Sequence, residues 1–284
     1  MANIRIKVAC IQNHATLDEN ANVAWLFERV REAAAQGVEF ACLPEYGTCF
    51  GRSGGGFELG ARDEAAHPVL ARMRELAAQT GLWLMTGSLA ISTSDGRISN
   101  RAFMISPDGE ITARYDKIHL FDVDLAGKES YRESDTVSSG DRAVVADIGK
   151  ARVGMTICYD IRFPELYRTL AKAGADILTI PAAFTRKTGS AHWHVLVRSR
   201  AIETGSYVLA TGQCGEDEEG KLQRYGHSLI VTPWGEVLAD AGPEPGMIMA
   251  ELDLAKVEDA RRMVPALRHD RDYRLDDPRA LAAE

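Results

Sequence analysis

The sequence predicts an α/β fold in which a mixed sheet, or two sheets, is flanked by helices. Short β-branched runs alternate with segments of helical periodicity along the whole chain. Some of these runs are separated by helices, whereas others are joined by hairpin turns such as SPDGE and TPWGE. The 284 residues, of which 45% are apolar and 26% charged, are enough to bury a large core. We therefore expect a single domain over residues 1–284.

The chain begins with a strand and a helix. The run IRIKVACIQ indicates a strand, and the spacing of Thr16 and Glu19 predicts a capping box for a helix that ends near Gly37. A second strand, VEFACLP, is stopped by Pro44. Later strand candidates are LWLMTGSLA, NRAFMISPDGEI, RVGMTICYD, DILTIPAAF, SYVLATGQC, HSLIVTPWGEVL and MIMAELDL. Further helices are expected near residues 67–80, 164–173, 190–204 and 255–262.

Two segments show little periodicity. Residues 115–140 are long and poorly periodic, which is more typical of a structured functional loop than of a linker. The charged stretch after Pro265 is expected to lie on the surface or to reach a partner subunit.

Composition and charge exclude several classes of function. The net charge is -8 and no basic block with interleaved aromatics occurs, so we expect no nucleic-acid partner. The N-terminus lacks a signal-peptide pattern and no apolar run reaches membrane-spanning length, which predicts a cytoplasmic protein without a membrane partner. Five cysteines without a C-x-x-C pair indicate reduced thiols and imply no metal. Small-molecule chemistry is therefore favoured.

Cys158 ends the strand RVGMTIC, and Pro164 is well placed in the first turn of the next helix. Open α/β sheets bind ligands at the carboxyl ends of strands, where a helix start can stabilise negative charge. Cys158 is therefore a candidate nucleophile. The alternative is a buried apolar side chain, because free cysteines are among the most buried residues.

Glu45 and Lys117 are two further candidates. Glu45 follows an apolar strand and could act as a general base toward a thiol, although an exposed surface Glu is equally compatible with the pattern. Lys117 begins the long loop, where a cation would depress a thiolate pKa and neutralise an oxyanion, but a solvated Lys fits as well. The pattern alone leaves open whether Glu45, Lys117 and Cys158 meet.

Three segments resemble the signature segments of the nitrilase superfamily of carbon-nitrogen hydrolases. They are LPEYG, YDKIHLFD with GKESYRES, and ICYDIRFPEL, and the resemblance covers nearly the whole chain. It implies a four-layer αββα sandwich, a homodimer or higher homo-oligomer, and no cofactor.

The resemblance also implies roles for individual residues. Cys158 matches the nucleophile, Glu45 the base and Lys117 the electrostatic stabiliser, whereas Glu133 matches a second carboxylate that orients Lys117 or the substrate. Attack on an amide would give a thioester, with the oxyanion held by Lys117 and the backbone N–H of Tyr159.

The branch of the superfamily is inferred from residues around Cys158. True nitrile-cleaving relatives usually have Trp-Glu after the Cys, whereas this chain has Tyr159 and Asp160. The chain most resembles amidases that repair deaminated glutathione, then omega-amidases acting on 2-oxoglutaramate, then N-carbamoyl amino acid hydrolases. A non-catalytic scaffold with the same fold is a further alternative.

Basic residues near Cys158 are candidates for binding a substrate carboxylate. Arg162, and Arg186 with Lys187, lie close to strand ends, and Arg can bind a carboxylate in bidentate fashion. Alternatively, Arg162 pairs with Asp160 or Glu165.

The histidines are the alternative candidates, either as the base of a protease-like Cys-His pair or as metal ligands. His192 and His194 are two residues apart on a predicted helix, which places them on different faces and disfavours a shared metal. His227 is expected to be a hydrogen-bonded structural residue. His194 stands where the resemblance leads us to expect an acidic residue, which affects the packing or hydrogen bonding near the pocket wall.

Overall fold

The computed structural model describes residues 4–53, 56–125, 129–217, 220 and 222–276. Its α-helices are α1 (Glu19–Ala35), α2 (Pro68–Thr80), α3 (Pro164–Lys172), α4 (Arg186–Thr204) and α5 (Ala255–Met263). The first ten strands are β1 (Arg5–Gln12), β2 (Phe40–Cys42), β3 (Gly51–Ser53), β4 (Gly56–Glu58), β5 (Trp83–Met85), β6 (Leu89–Ser92), β7 (Ile98–Ile105), β8 (Ile111–Asp116), β9 (Asp122–Leu125) and β10 (Glu129–Arg132). The remaining strands are β11 (Val137–Ser138), β12 (Val144–Asp147), β13 (Arg152–Met155), β14 (Ile177–Ala182), β15 (Tyr207–Gly212), β16 (Cys214–Glu216), β17 (Gln223–Tyr225), β18 (Leu229–Val231), β19 (Val237–Asp240) and β20 (Gly246–Asp253). Short 3₁₀-helices are Glu64–Ala66, Glu133–Asp135, Cys158–Arg162 and Ala266–Arg268.

Two mixed sheets form the centre of the molecule. The first has eight strands in the order β11-β7-β5-β2-β1-β20, with β6 and β8 also paired to β7. The second has six strands in the order β12-β13-β14-β15-β18-β19. In each sheet three neighbouring strands run parallel, namely β5, β2 and β1 in the first and β13, β14 and β15 in the second.

The two sheets pack face to face between two layers of helices. On β1, Val8 and Cys10 belong to the core between the sheets, whereas Ala9 and Ile11 pack with α1 and α2. On β13, a Cβ added to Gly154 would lie 3.1 Å from the Leu170 Cβ of α3, so this face of the second sheet is covered by helix. The predicted αββα sandwich is therefore confirmed.

Two local predictions were wrong. Helix α1 begins at Glu19 with Asp18 as its N-cap, because the Asp18 carboxylate accepts the Ala21 N–H at 3.0 Å while Thr16 Oγ1 accepts the Asp18 N–H at 3.2 Å. The run LWLMTGSLA forms two strands rather than one. They separate at Gly87, whose φ of +71° and close approach to a backbone carbonyl leave no room for a side chain.

Residues 115–140 contain strands β9, β10 and β11 and a 3₁₀-helix, so the long segment is structured as predicted in the part that the structure describes.

The exposed stretch after Pro265 lies on α3, where the Arg168 guanidinium donates to the Ala266 carbonyl at 2.7 Å and also binds Asp270. Residues 277–284 of this stretch lie outside the described residues. Among the helices that the structure describes, none is both long and apolar enough to span a membrane.

Candidate active site

Glu45, Lys117 and Cys158 each follow a strand, and the structure brings the three side chains together. Glu45 comes after β2 and Lys117 directly after β8, both in the first sheet, whereas Cys158 follows β13 of the second sheet. All three are buried, with exposed fractions of 3%, 2% and 7%. The site therefore lies where the carboxyl ends of strands from two sheets converge.

Lys117 lies between two carboxylates. Its Nζ donates to Glu45 Oε1 at 3.0 Å and to both oxygens of Glu133 at 3.0 and 2.8 Å. Burial lowers the pKa of a Lys ammonium, but the carboxylates of Glu133 and Glu45 raise it by more, so the pKa of Lys117 lies well above its usual value. Lys117 therefore stays protonated at neutral pH.

The Glu45 carboxylate is fixed by three donors. Its Oε1 accepts from Lys117 Nζ and from Asn100 Nδ2 at 2.9 Å, and its Oε2 accepts from the Ala183 backbone N–H at 2.8 Å. The Glu45 carbonyl also accepts from Gln213 Nε2 at 2.6 Å. These contacts fix the carboxylate beside the thiol of Cys158, whose pKa it raises.

The Cys158 thiol is protonated in the resting site. Burial raises its pKa well above the usual value, the Glu45 carboxylate raises it further, and the Lys117 ammonium lowers it only in part. Lys117 therefore lowers the thiol pKa, as expected for a nearby cation, but desolvation and Glu45 outweigh it. A thiol held beside a carboxylate can transfer its proton to that carboxylate during the reaction.

The backbone at Cys158 has the left-handed conformation, with φ of +48°, and Tyr46 beside Glu45 has φ of +50°. Such conformations cost non-glycine residues roughly 1–3 kcal/mol each and cluster at functional sites. Cys158 is also the first residue of a 3₁₀-helix in which the first internal bond runs from the Asp160 N–H to the Ile157 carbonyl. The N–H groups of Cys158 and Tyr159 precede that bond, so the helix supplies no acceptor for them.

The three side chains line a cavity of about 100 Å³. Most of the remaining wall is apolar or aromatic, and Arg132 and Glu133 add charge to it. The described residues of the wall beyond the three are Tyr46, Phe50, Phe57, Leu59, Phe121, Tyr131, Arg132, Glu133, Thr136, Val137, Ala183, Phe184, Thr185, Thr188 and Leu222. A cavity of this kind suits a small organic molecule.

Comparison with known proteins identifies the family. The family described as Carbon-nitrogen hydrolase matches residues 7–262. This chain belongs to the carbon-nitrogen hydrolase family. It is 36% identical over 272 residues to the human omega-amidase NIT2, covering 95% of this chain and 96% of that protein. It is 39% identical over 280 residues to the human deaminated glutathione amidase, covering 93% and 82% of the two chains.

Among solved structures, the C. elegans NitFhit protein superimposes on this hydrolase with a TM-score of 0.85 at 34% identity. The match covers 95% of this chain and 66% of the NitFhit chain. The predicted resemblance to the nitrilase superfamily is therefore confirmed, and the chain is a hydrolase of the amidase type.

Asp160 anchors the turn that presents the nucleophile candidate of this hydrolase. Its buried carboxylate accepts from the Tyr115 hydroxyl at 2.6 Å and from the Ile157 N–H at 2.9 Å. The other oxygen accepts from the His119 N–H at 3.0 Å and lies 2.8 Å from His119 Nδ1. His119 therefore binds Asp160, so it offers no support for a Cys-His pair.

The two arginines predicted to bind substrate lie beside the cavity. The Arg162 guanidinium carbon is 5.3 Å from the ring centroid of Phe184, which lines the cavity, and its nitrogens lie 3.3 Å from His192 Nδ1. Arg186 is exposed at the first residue of α4, next to Thr185 of the cavity wall. Their role stays a prediction. The Asp160 carboxylate, which was the alternative partner expected for Arg162, instead accepts hydrogen bonds from Tyr115, Ile157 and His119.

Three contributors to the site were missed in the sequence. Asn100 donates to Glu45 and, at 3.4 Å, to Glu133 Oε1, and it lies within strand β7 without any local motif. The Ala183 contact is made by a backbone N–H, which no side-chain pattern reveals. Arg132 lines the cavity, and its position next to Glu133 is the sequence signal for it.

Proposed function

We propose that the protein hydrolyses the amide bond of a small carboxylate-bearing amide through a Cys158 thioester, in the manner of a deaminated glutathione amidase. The observation that carries the proposal is the position of the buried Cys158 thiol beside the Glu45 carboxylate and the Lys117 ammonium, in the wall of a mostly apolar cavity. This set supplies a nucleophile, a proton acceptor and a fixed positive charge.

In the first half of the reaction, Glu45 takes the thiol proton while the Cys158 sulfur attacks the amide carbon. The developing oxyanion is stabilised by Lys117 and by the backbone N–H of Tyr159. The C–N bond then breaks, and Glu45 returns its proton to the leaving amine. The acyl group is left on Cys158 as a thioester, and the carboxylate of Glu45 is regenerated.

In the second half, Glu45 takes a proton from a water molecule that attacks the thioester carbon. Collapse of the second oxyanion breaks the C–S bond, releases the carboxylic acid and returns the proton to Cys158. Glu133 holds Lys117 in place throughout, because it accepts two hydrogen bonds from its ammonium group. One water is consumed, and one amine and one acid are formed.

The two amidases to which the chain is similar suggest two candidate substrates. Deaminated glutathione and 2-oxoglutaramate carry the same 4-carboxy-4-oxobutanoyl group and differ only in the amine that leaves. A pocket that binds the 2-oxo acid end should accept both. We place deaminated glutathione first on the residues around Cys158, and omega-amidase activity second because the human omega-amidase NIT2 is 36% identical over nearly its whole length.

The experiment is a direct comparison of the two amides with an N-carbamoyl amino acid and a nitrile. We expect faster release of 2-oxoglutarate from deaminated glutathione than from 2-oxoglutaramate. Intact-protein mass spectrometry of a quenched reaction should show the acyl group on Cys158. Cleavage of the N-carbamoyl compound alone would contradict the proposed branch but leave the Glu45, Lys117 and Cys158 chemistry intact. A folded protein that forms no adduct with any of them would favour the non-catalytic scaffold.

The residue that binds the substrate carboxylate is proposed from position and charge. Arg162 and Arg186 flank the cavity, and Arg132 lines it while donating to the Asp124 carboxylate at 2.8 and 2.9 Å. Arg132 already has a carboxylate partner, so we favour Arg162, with Arg186 as the second candidate.

A homodimer is the expected assembly. Exposed apolar side chains on α4 and on the β18–β19 hairpin support this proposal, because a surface of this kind is stabilised when a second subunit covers it. These residues are Val195, Ile202, Trp234, Val237 and Leu238.

The five cysteines are free thiols, which suits a reducing compartment such as the cytoplasm.

A further inference from the structure

Three potential metal ligands meet outside the active site. His194 on α4, His227 before β18 and Asp240 at the end of β19 place their ligand atoms within 4.8 Å of one another. His194 Nε2 lies 3.0 Å from Asp240 Oδ2, and His227 Nδ1 lies 3.0 Å from Asp240 Oδ1. All three side chains are partly exposed in the single chain.

The two His–Asp distances are close to what a tetrahedral metal site needs. Zinc binds His nitrogen and carboxylate oxygen at about 2.0–2.2 Å, which places neighbouring ligand atoms roughly 3.4 Å apart. The hydrogen-bonded pairs of the cluster need to open by only a few tenths of an ångström to reach this spacing. Water can occupy the fourth position.

The backbone around the cluster holds two of the ligands in place. His227 has φ of +54°, its N–H donates to the Gly242 carbonyl at 2.7 Å, and its carbonyl accepts from Trp193 Nε1 at 2.7 Å. Its ring stacks on Tyr225 with centroids 4.5 Å apart. Asp240 Oδ1 accepts from the Gly242 N–H at 2.8 Å. Second contacts of this kind orient ligand side chains and raise metal affinity.

We propose that His194, His227 and Asp240 form a binding site for one divalent transition-metal ion, with Zn²⁺ as the best match. Two imidazoles and one carboxylate suit zinc and its neighbours better than calcium or magnesium, which prefer oxygen ligands. The site departs from the metal-free prediction, which compared His194 only with His192 on the same helix. His227 and Asp240 come from other elements that the fold brings to α4.

The site is separate from the reacting groups but connected to the cavity. Trp193, which binds the His227 carbonyl, packs on Phe184 of the cavity wall with ring centroids 4.9 Å apart. The metal is therefore expected to stabilise the wall and is not required for the proton transfers of the amidase reaction.

The test uses the full-length protein with its accessible thiols alkylated, so that Cys158 cannot bind metal. Equilibrium dialysis against Zn²⁺ should give one bound ion per chain, and Co²⁺ should show the visible absorption of a four-coordinate site. His194→Gln and Asp240→Asn should each weaken Zn²⁺ binding by at least about tenfold, because each removes one of three protein ligands. Zn²⁺ should also raise the thermal unfolding temperature of the unsubstituted protein but not of these variants.

His192→Gln is the matched control, since His192 is exposed on the same helix two residues earlier. It should bind Zn²⁺ as the unsubstituted protein does. Equal affinity in His194→Gln and His192→Gln, or loss of all binding on alkylation alone, would overturn the proposal and leave a hydrogen-bonded His-Asp-His cluster.

Discussion

Replacing Glu45 by Gln tests the proposed chemistry most directly. The amide has nearly the same shape as the carboxylate but carries no charge and only one acceptor oxygen. In the native site Asn100 and Lys117 donate to one oxygen of Glu45 and the Ala183 N–H donates to the other. If the amide oxygen faces Asn100 and Lys117, its NH₂ group faces the Ala183 N–H, so two donors oppose each other.

The cost in stability can be worked from these contacts. A buried N–H left without an acceptor costs about 1–3 kcal/mol. Lys117 also loses an attraction of about 5.5 kcal/mol, for charges 3.0 Å apart at an effective dielectric constant of ~20. Much of this attraction is offset because the neutral amide is cheaper to bury and because Glu133 still binds Lys117. We expect the free energy of unfolding to fall by about 2–4 kcal/mol.

The same change should lower the reaction rate and raise the reactivity of the thiol. Loss of the general base should slow both acylation and deacylation by about 10²–10⁴-fold. Burial and then the Glu45 carboxylate raise the pKa of the Cys158 thiol, so removing the carboxylate should lower that pKa. The pH at which iodoacetamide labels Cys158 at half its maximal rate should therefore shift downward while turnover falls.

The assay combines rapid-quench measurement of the acyl adduct with labelling of Cys158 followed across pH by mass spectrometry. Glu110→Gln is the control, because Glu110 is an exposed partner of Arg74, and neither observable should change in it. A Glu45→Gln protein that acylates at the normal rate would refute the role of Glu45 in the first step. A labelling midpoint that stays in place would refute the electrostatic reasoning.

Four further outcomes are expected. Cys158→Ala should abolish turnover while costing about 1–2 kcal/mol of stability, and near-normal activity in a folded variant would rule out the mechanism. Asp160→Asn should lower kcat about ten- to hundredfold with little change in KM, because one amide oxygen cannot hold the turn as the carboxylate does; an unchanged kcat would contradict this. Arg162→Ala should markedly slow cleavage of carboxylate-bearing amides but not of an uncharged amide, and equal effects on both would argue against carboxylate binding. Light scattering should give the dimer mass, and a monomer mass at micromolar concentrations would reject the dimer.

The sequence could predict the strands and helices because their periodicity is local. The three site residues could also be predicted from the sequence, since each follows an apolar strand and lies in a segment that resembles a signature of the superfamily. What brings Glu45, Lys117 and Cys158 together is the packing of two sheets, which depends on contacts distant in the sequence. The four-layer arrangement was therefore available only through the resemblance.

The missed contacts share a physical reason. Asn100 lies in a strand. Its side chain contributes to the site only because the fold brings that strand within hydrogen-bonding distance of Glu45 and Glu133. The raised pKa of the Cys158 thiol follows from burial and from the competition between Glu45 and Lys117, which no sequence spacing encodes. The prediction that His227 is hydrogen-bonded is confirmed. Its partner Asp240 could not be predicted, because only the pairing of β18 with β19 brings the two residues together.

The division of the site between two sheets has a consequence for how the protein responds to heat. Glu45 and Lys117 are carried by the first sheet, whereas Cys158 and the Ala183 N–H are carried by the second. A small slide of one sheet over the other would preserve both hydrogen-bond ladders and yet separate the thiol from its carboxylate. A misplacement of about 1 Å can cost roughly a hundredfold in rate. Catalysis should therefore fade on warming before circular dichroism detects any loss of secondary structure, so that turnover reports the alignment of the two layers.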